Sequence, residues 1–219
     1  MLGIMSIKTL TKITRRVPEL NRYTSLPIAL DMLTRKAITL LSPETWEDRN
    51  DAYYLERYRD KLKFRSVLAV CFSMRYETFH HWKIFSQGGA GVRVEFDREG
   101  LLEAFKPITG VRMREVKYDS IYNMNINKPD IEDWPFLKRI PYKDESEFRI
   151  IYETKKESLR SKPIEFQLSC IRKITLSPWL PESVAESIVS IIGGLEGCDN
   201  IRVNRSSLID NAGWRSVID

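Results

Sequence analysis

Histidine and cysteine are scarce in this sequence, and no stretch of it is long and apolar. Its 219 residues include two histidines and three cysteines. His80 and His81 are adjacent, so on a helix they point in different directions. No CxxC or HExxH spacing accompanies them, and no metal is expected. Cys71, Cys170 and Cys198 are widely spaced and odd in number, which argues for buried reduced thiols over a disulfide framework. Nothing approaches the roughly twenty apolar residues that span a bilayer. The apolar opening, Met1 to Ile7, is broken by Lys8 too early for a signal-peptide core. The expectation is a cytoplasmic protein without membrane contact. A GxSxG elbow is missing, so a Ser-His-Asp triad lacks support. Gly88-Gly89-Ala90-Gly91 leads into a strand pattern, whereas dinucleotide and P-loop glycines open a helix, so it reads as a turn. A pure basic run is lacking as well: 35 Lys and Arg are interspersed with 30 Asp and Glu, for a net charge of +5. That balance permits an anionic partner without requiring one. Aromatic residues do not cluster among the basic ones along the sequence, which weakens a platform for single-stranded nucleic acid.

The apolar pattern predicts one α+β domain over 1–219, with its core at about 20–205 and a mixed, mainly antiparallel sheet flanked by helices. Ser25-Leu26-Pro27 reads as a capped helix start, followed by a short strand over Ala37 to Leu41. Ser42 to Asp51 reads as an acidic surface loop before a polar helix at about Ala52 to Lys63. Val67 to Phe72 (VLAVCF) is apolar on both faces, as in a central strand. A helix is expected over about Glu77 to Phe85. In Gly91 to Asp97 the apolar residues Val92, Val94 and Phe96 alternate with Arg93, Glu95 and Asp97, marking a strand with one buried face. A short helix over Arg98 to Phe105, a strand over Val111 to Tyr118 and an irregular or helical insertion over Asp119 to Arg139 come next. Strands follow over Glu145 to Glu153 and about Ile164 to Leu176. The spacing of Val184, Ile188, Ile191, Ile192 and Leu195 predicts an amphipathic helix, and Ile201 to Val203 a last strand.

Chemistry is best sought in the acidic strand Glu145-Ser146-Glu147-Phe148-Arg149. If it is continuous, Glu145, Glu147 and Arg149 share one face at steps of about 7 Å, where they shift one another's pKa and can meet a polar ligand together. The alternative is a solvated face of cross-strand ion pairs. Arg22 can fork onto a phosphate or carboxylate, with Tyr23 offering a stacking face, or can be a surface Arg beside a core Tyr. Ser73 ends the central strand, a common place for ligand-binding groups. Trp82 walls a pocket or fills the core.

The order Arg22-Tyr23-Thr24-Ser25-Leu-x-x-Ala29-Leu30, Leu41-Ser42-Pro43, Cys71-Phe72-Ser73, Trp82, Gly91-Val92-x-Val94-x-Phe96-Asp97 and Tyr142-x-x-Glu145-x-Glu147-Phe148-Arg149 resembles the bacterial family of domain of unknown function 2971. The likeness extends to Ile171-x-x-Ile174 and Arg205-Ser206. It departs at Glu47-Asp48-Arg49-Asn50-Asp51, where such proteins typically have Asn-Asp-Pro and an acidic residue. A more distant resemblance is to the ADP-ribosyltransferases, which place an Arg or His on an early strand, a Ser or Tyr segment on a middle strand and a Glu on a late strand; Arg22, Phe72-Ser73 and Glu145-x-Glu147 occur in that order here. That resemblance implies NAD as substrate and a protein or nucleic-acid acceptor, as for a bacterial toxin or phage-conflict effector. It implies that Glu147 bonds the nicotinamide ribose and Glu145 orients the acceptor. Arg22 would hold the pyrophosphate or adenine ribose, with Ser73 in the site and Tyr23 or Trp82 stacking on a ring. The competing classes are a noncatalytic domain that binds nucleic acid or protein, and a nuclease using Glu95, Asp97 and Glu145 around Mg²⁺.

Overall fold

The computed structural model describes residues 18–86 and 88–218, so the apolar opening lies outside the described residues. β1 (Leu20–Ser25) runs into α1 (Leu26–Arg35), and the chain returns as β2 (Ala37–Leu41). Ser25 holds the expected cap position, with Pro27 in the first turn, but its side chain makes no capping bond. α2 (Arg49–Leu62) is capped instead by a carboxylate: Asp48 accepts the backbone N–H groups of Asn50 and Asp51. β3 (Ser66–Ser73), α3 (Phe79–Phe85), β4 (Gly91–Phe96) and α4 (Arg98–Glu103) follow. The strand expected over Val111 to Tyr118 breaks at Val116 into β5 (Val111–Glu115) and β6 (Lys117–Asp119). The insertion holds α5 (Ile121–Ile126), a 3-10 turn over Ile131–Phe136 and β7 (Leu137–Arg139), which pairs with β6 in a small parallel sheet of their own. The chain closes with β8 (Glu147–Thr154), β9 (Ser161–Glu165), β10 (Ile171–Leu176), α6 (Glu182–Gly193), β11 (Arg202–Arg205) and α7 (Ala212–Arg215).

The main sheet is antiparallel except at β10–β11. Its centre is β3, as the doubly apolar VLAVCF run predicts. β8 pairs along the whole of one edge of β3, from Ser66–Thr154 to Ser73–Glu147, and β5 lies beyond it. The opposite edge is shared: β1 meets it at Asn21–Ser73 and β2 at Leu41–Ala69. β1 continues into β4, β10 and β11, whereas β2 continues into β9. The sheet therefore splits beside Cys71.

One face packs Leu20, Phe72, Phe96, Phe148 and Ile150 against Leu33 of α1 and Ile188 of α6. The other packs Val67, Ala69 and Ile151 under Leu55 and Tyr58 of α2. Each Val, Leu, Ile or Phe among them contributes about 1.5–3 kcal/mol by leaving water. The apolar stripe of α6 is rotated from the expected one. Ala185, Ile188 and Ile192 face the core, while Val184 and Ile191 are 43% and 56% exposed. β4 is buried on both faces for most of its length, Arg93 included, because other chain covers the face expected to be polar.

Of Gly89 and Gly91, it is Gly91, the first residue of β4, that geometry requires. A Cβ there would lie 2.2 Å from the Ser86 Cβ and 2.6 Å from the Ser86 carbonyl oxygen, whereas a Cβ at Gly89 meets nothing within 4 Å. Gly91→Ala is expected to cost about 1–3 kcal/mol in a urea melt, and Gly89→Ala to leave the midpoint within a few tenths. Equal midpoints for the two variants would contradict the close approach.

Candidate functional site

Alternation along β8 turns Glu147 and Arg149 toward the face that α2 covers, and the pairing with β3 sets Ser73 opposite Glu147 and Cys71 opposite Arg149. Glu145 is not part of that strand. It ends a 3-10 turn over Ile140–Glu145, and Ser146 follows with φ 45°, in the left-handed region. The kink takes Glu145 out of strand register, yet its carboxylate reaches the same lysine, Lys138 of β7, that also bonds Glu147.

Arg149 is the hub. It is fully buried, with Nη1 and Nη2 donating to Asp51 Oδ1 and Oδ2 at 2.8 and 2.6 Å. Its Nε and Nη2 donate to Glu147 at 2.7 and 3.1 Å, and Nη1 also reaches the Pro135 carbonyl at 2.8 Å. The Trp46 ring lies 5.0 Å from the guanidinium. Lys138 Nζ stands 3.3 Å from Glu147 and 3.7 Å from Asp51. Three carboxylates thus share two cations in a nearly dry site, a buried network and not the solvated face that was the alternative.

Asp51 was expected at the end of an exposed acidic loop. It sits instead in the first turn of α2 and is 4% exposed, because it lies on the same helical stripe as Leu55 and Tyr58. Burial pushes the Glu147 carboxyl up, but Arg149 and Lys138 override it and hold it at about 2. Burial raises Glu145, and Lys138 opposes that only in part. Burial lowers Lys138, yet the surrounding carboxylates raise it further than burial lowers it. The Cys71 thiol is pushed up by burial, and Glu147 adds to the rise.

A cleft of about 510 Å³ opens over this network. Its lining brings together Arg22, Tyr23, Ser73, Glu145 and Glu147, five of the six residues singled out from the sequence, with Trp46 and Lys138 beside them. Arg22 reaches into the split, where Nη1 lies 3.5 Å from the Cys71 carbonyl, and burial lowers its pKa. Tyr23 packs on His81 and edge-on to Trp82, with ring centroids 5.4 and 5.3 Å away, and burial pushes its hydroxyl up to about 12. Ser73 Oγ donates to the Glu145 carbonyl at 2.7 Å and lies 3.0 Å from His81 Nε2, so it braces the Glu145 turn. Burial lowers the His81 pKa.

The sixth residue is elsewhere. Trp82 is fully buried, donates to Glu77 at 2.7 Å and lies behind Tyr23, outside the cleft lining. The nuclease grouping does not assemble: Glu95 pairs with Arg93, Asp97 with Arg172 and Glu145 with Lys138. Among the described residues no group of three or more His, Cys, Asp or Glu is placed to hold a metal. No described helix is long and apolar enough to cross a membrane. Sequence reasoning missed Asp51 and Lys138. The helical spacing of Asp51 with Leu55 and Tyr58 carries a signal for the first, and nothing local marks the second.

No family model matches the chain and no curated protein matches it, so the likeness to the domain of unknown function 2971 stays a resemblance. Two solved structures are similar to it. Thermus sp. 2.9 DarT in complex with NAD+ shares 9% identity at a TM-score of 0.45, over 87% of this chain and 96% of that one. The same protein in complex with ADP-ribosylated ssDNA shares 11% identity at a TM-score of 0.46, over 87% and 94%.

Proposed function

We propose that this chain is an NAD-consuming ADP-ribosyltransferase whose acceptor is a macromolecule. The observation that carries the reading is Glu147: a carboxylate held ionised by Arg149 at 2.7 Å and Lys138 at 3.3 Å, in the lining of a cleft that also holds Glu145, Arg22 and Tyr23. In the reaction, the bond from ribose C1′ to the nicotinamide nitrogen breaks and its electron pair leaves with nicotinamide. The acceptor nucleophile bonds to C1′ and gives up its proton. Positive charge grows on the ribose in between, and a fixed, poorly hydrated carboxylate lowers that barrier. Glu147 is that carboxylate and also accepts a ribose hydroxyl. The hydroxyl takes the place of Lys138, whose 3.3 Å bond is the longest of those given to Glu147. Glu145 keeps Lys138, orients the acceptor and takes its proton, a role suited to a carboxyl whose pKa burial has raised. Arg22 supplies charge for the pyrophosphate, and Tyr23 a ring face.

A second reading has its own observation. Asp51, Glu147, Arg149 and Lys138 are mutually satisfied, as in the structural ion-pair core of a noncatalytic binding domain. Purified protein incubated with NAD separates the two. The transferase releases nicotinamide or leaves ADP-ribose on an added protein or nucleic acid. No turnover with either acceptor class, together with no NAD binding by calorimetry, rejects the transferase. A toxin or phage-conflict role in the cytoplasm adds one requirement: induced expression in a bacterial host slows growth, and the Glu147→Gln chain does not.

A further inference from the structure

A second cleft, of about 640 Å³, adjoins the first, and Asp48, Asp51 and Lys138 line both. The two aspartates are already engaged, Asp48 in capping α2 and Asp51 in binding Arg149. The remaining charged lining is entirely basic. Arg57 and Lys61 of α2 and Lys128 beyond α5 are exposed there, and none of them makes an ion pair among the described residues. Their neighbours Arg59, Arg112 and Arg114 all do. Arg139 completes the set, with a buried Nε that has no hydrogen-bond partner.

Aromatic faces lie among these cations. Tyr53, Arg57 and Lys61 follow one another at i, i+4 and i+8 along α2, and Tyr53 is 56% exposed. Tyr54 sits edge-on to Trp134, with centroids 6.1 Å apart, and both line the cleft. Along the sequence these aromatic and basic residues are more than seventy positions apart at the extremes; the packing of α2 on the 3-10 turn before β7 gathers them. Unpaired cations beside the exposed Tyr53 ring and the half-buried Tyr54 and Trp134 rings suit a chain of phosphates carrying unstacked bases. A duplex keeps its bases stacked inward, and an acidic peptide has no use for the rings.

We propose that this cleft docks single-stranded nucleic acid, and that the strand is the acceptor brought up to the Asp51–Lys138 wall of the first cleft. The acceptor role rests on the transferase reading, whereas the docking can be tested without NAD. Fluorescence anisotropy of labelled oligodeoxynucleotide and oligoribonucleotide of the same mixed sequence, and of the matching duplex, measures binding across a salt series. The expected result is that at least one single strand binds more tightly than the duplex. In Arg57→Ala/Lys61→Ala/Lys128→Ala the slope of log K against log salt falls by about 2, at roughly 0.7 for each lost phosphate contact. Tyr53→Ala weakens binding about tenfold with the salt slope unchanged. The proposal is overturned if the wild-type chain binds neither single strand, if the duplex binds equally well, if the triple variant keeps the wild-type slope, or if a poly-glutamate peptide binds in preference. A negative result here leaves nicotinamide release, measured separately, free to support or reject the transferase.

Discussion

Asp51→Ala is expected to lower the folding free energy by about 3–5 kcal/mol, a fall of roughly 2 M in the urea midpoint for a chain of this size. The loss far exceeds what a polar residue at a helix start ordinarily contributes. Asp51 takes both terminal nitrogens of Arg149, and Arg149 has no exposure at all. Deleting the acid strands a guanidinium in the interior with only Glu147 and a carbonyl for partners. Replacing both ends with apolar side chains, as in Asp51→Leu/Arg149→Met, removes the stranded charge, so the double variant should be less destabilised than the sum of the single changes. Additive losses would mean that the two groups are not coupled. The same network sets an acid limit. Glu147 has a folded pKa of about 2 against an ordinary value of 4.5, so its contribution is complete above about pH 4.5 and is lost as pH falls toward 2. Glu145, shifted the opposite way by burial, works against that trend on the same flank. A urea midpoint that does not fall between pH 5 and 3 would contradict the assignment for Glu147.

Features fixed by local pattern were legible in the sequence. A run apolar on both faces has to be covered on both sides, and β3 is. Period-two alternation placed Glu147 and Arg149 on one face without any knowledge of what covers it. What the sequence hid were partners brought in from a distance. Asp51 and Arg149 are 98 positions apart, and the acidic residues before α2 look like solvated loop until Asp51 is aligned with Leu55 and Tyr58 on one stripe. Lys138 lies on a three-residue strand, too short for any period, within a segment that reads as irregular or helical. Glu145 was misplaced for a different reason. Ser146 adopts a left-handed conformation that an L-residue rarely takes, and no residue type at that position announces it. Trp82 went to the core because a helix facing a sheet buries its largest side chain, and Tyr23 took the cleft side.

Glu147→Gln is expected to cut NAD turnover by about 10²- to 10³-fold, the usual effect of removing one group that stabilises charge developing in the transition state. Glutamine has the size of glutamate and can still accept from Arg149 through its carbonyl oxygen. Its amide, however, turns N–H groups toward Lys138 or Arg149, which donate and cannot accept. Some loss of stability is therefore expected as well, and turnover must be compared at a temperature where both chains are folded by circular dichroism. The change should fall on the chemical step, with NAD binding by calorimetry altered far less, because the carboxylate opposes a charge that exists only as the bond to nicotinamide stretches. Glu145→Gln should behave differently. It leaves Glu147 in place, so nicotinamide release into water persists while transfer to an acceptor falls. If Glu147→Gln turns over NAD at the wild-type rate, the carboxylate is not the stabilising group and the role passes to another residue of the cleft. If Glu145→Gln and Glu147→Gln lose hydrolysis and transfer in equal measure, the division of labour between the two acids fails. The proposed division rests on the kinked turn at Ser146, which takes Glu145 out of the strand while its carboxylate still reaches Lys138, the lysine that also bonds Glu147.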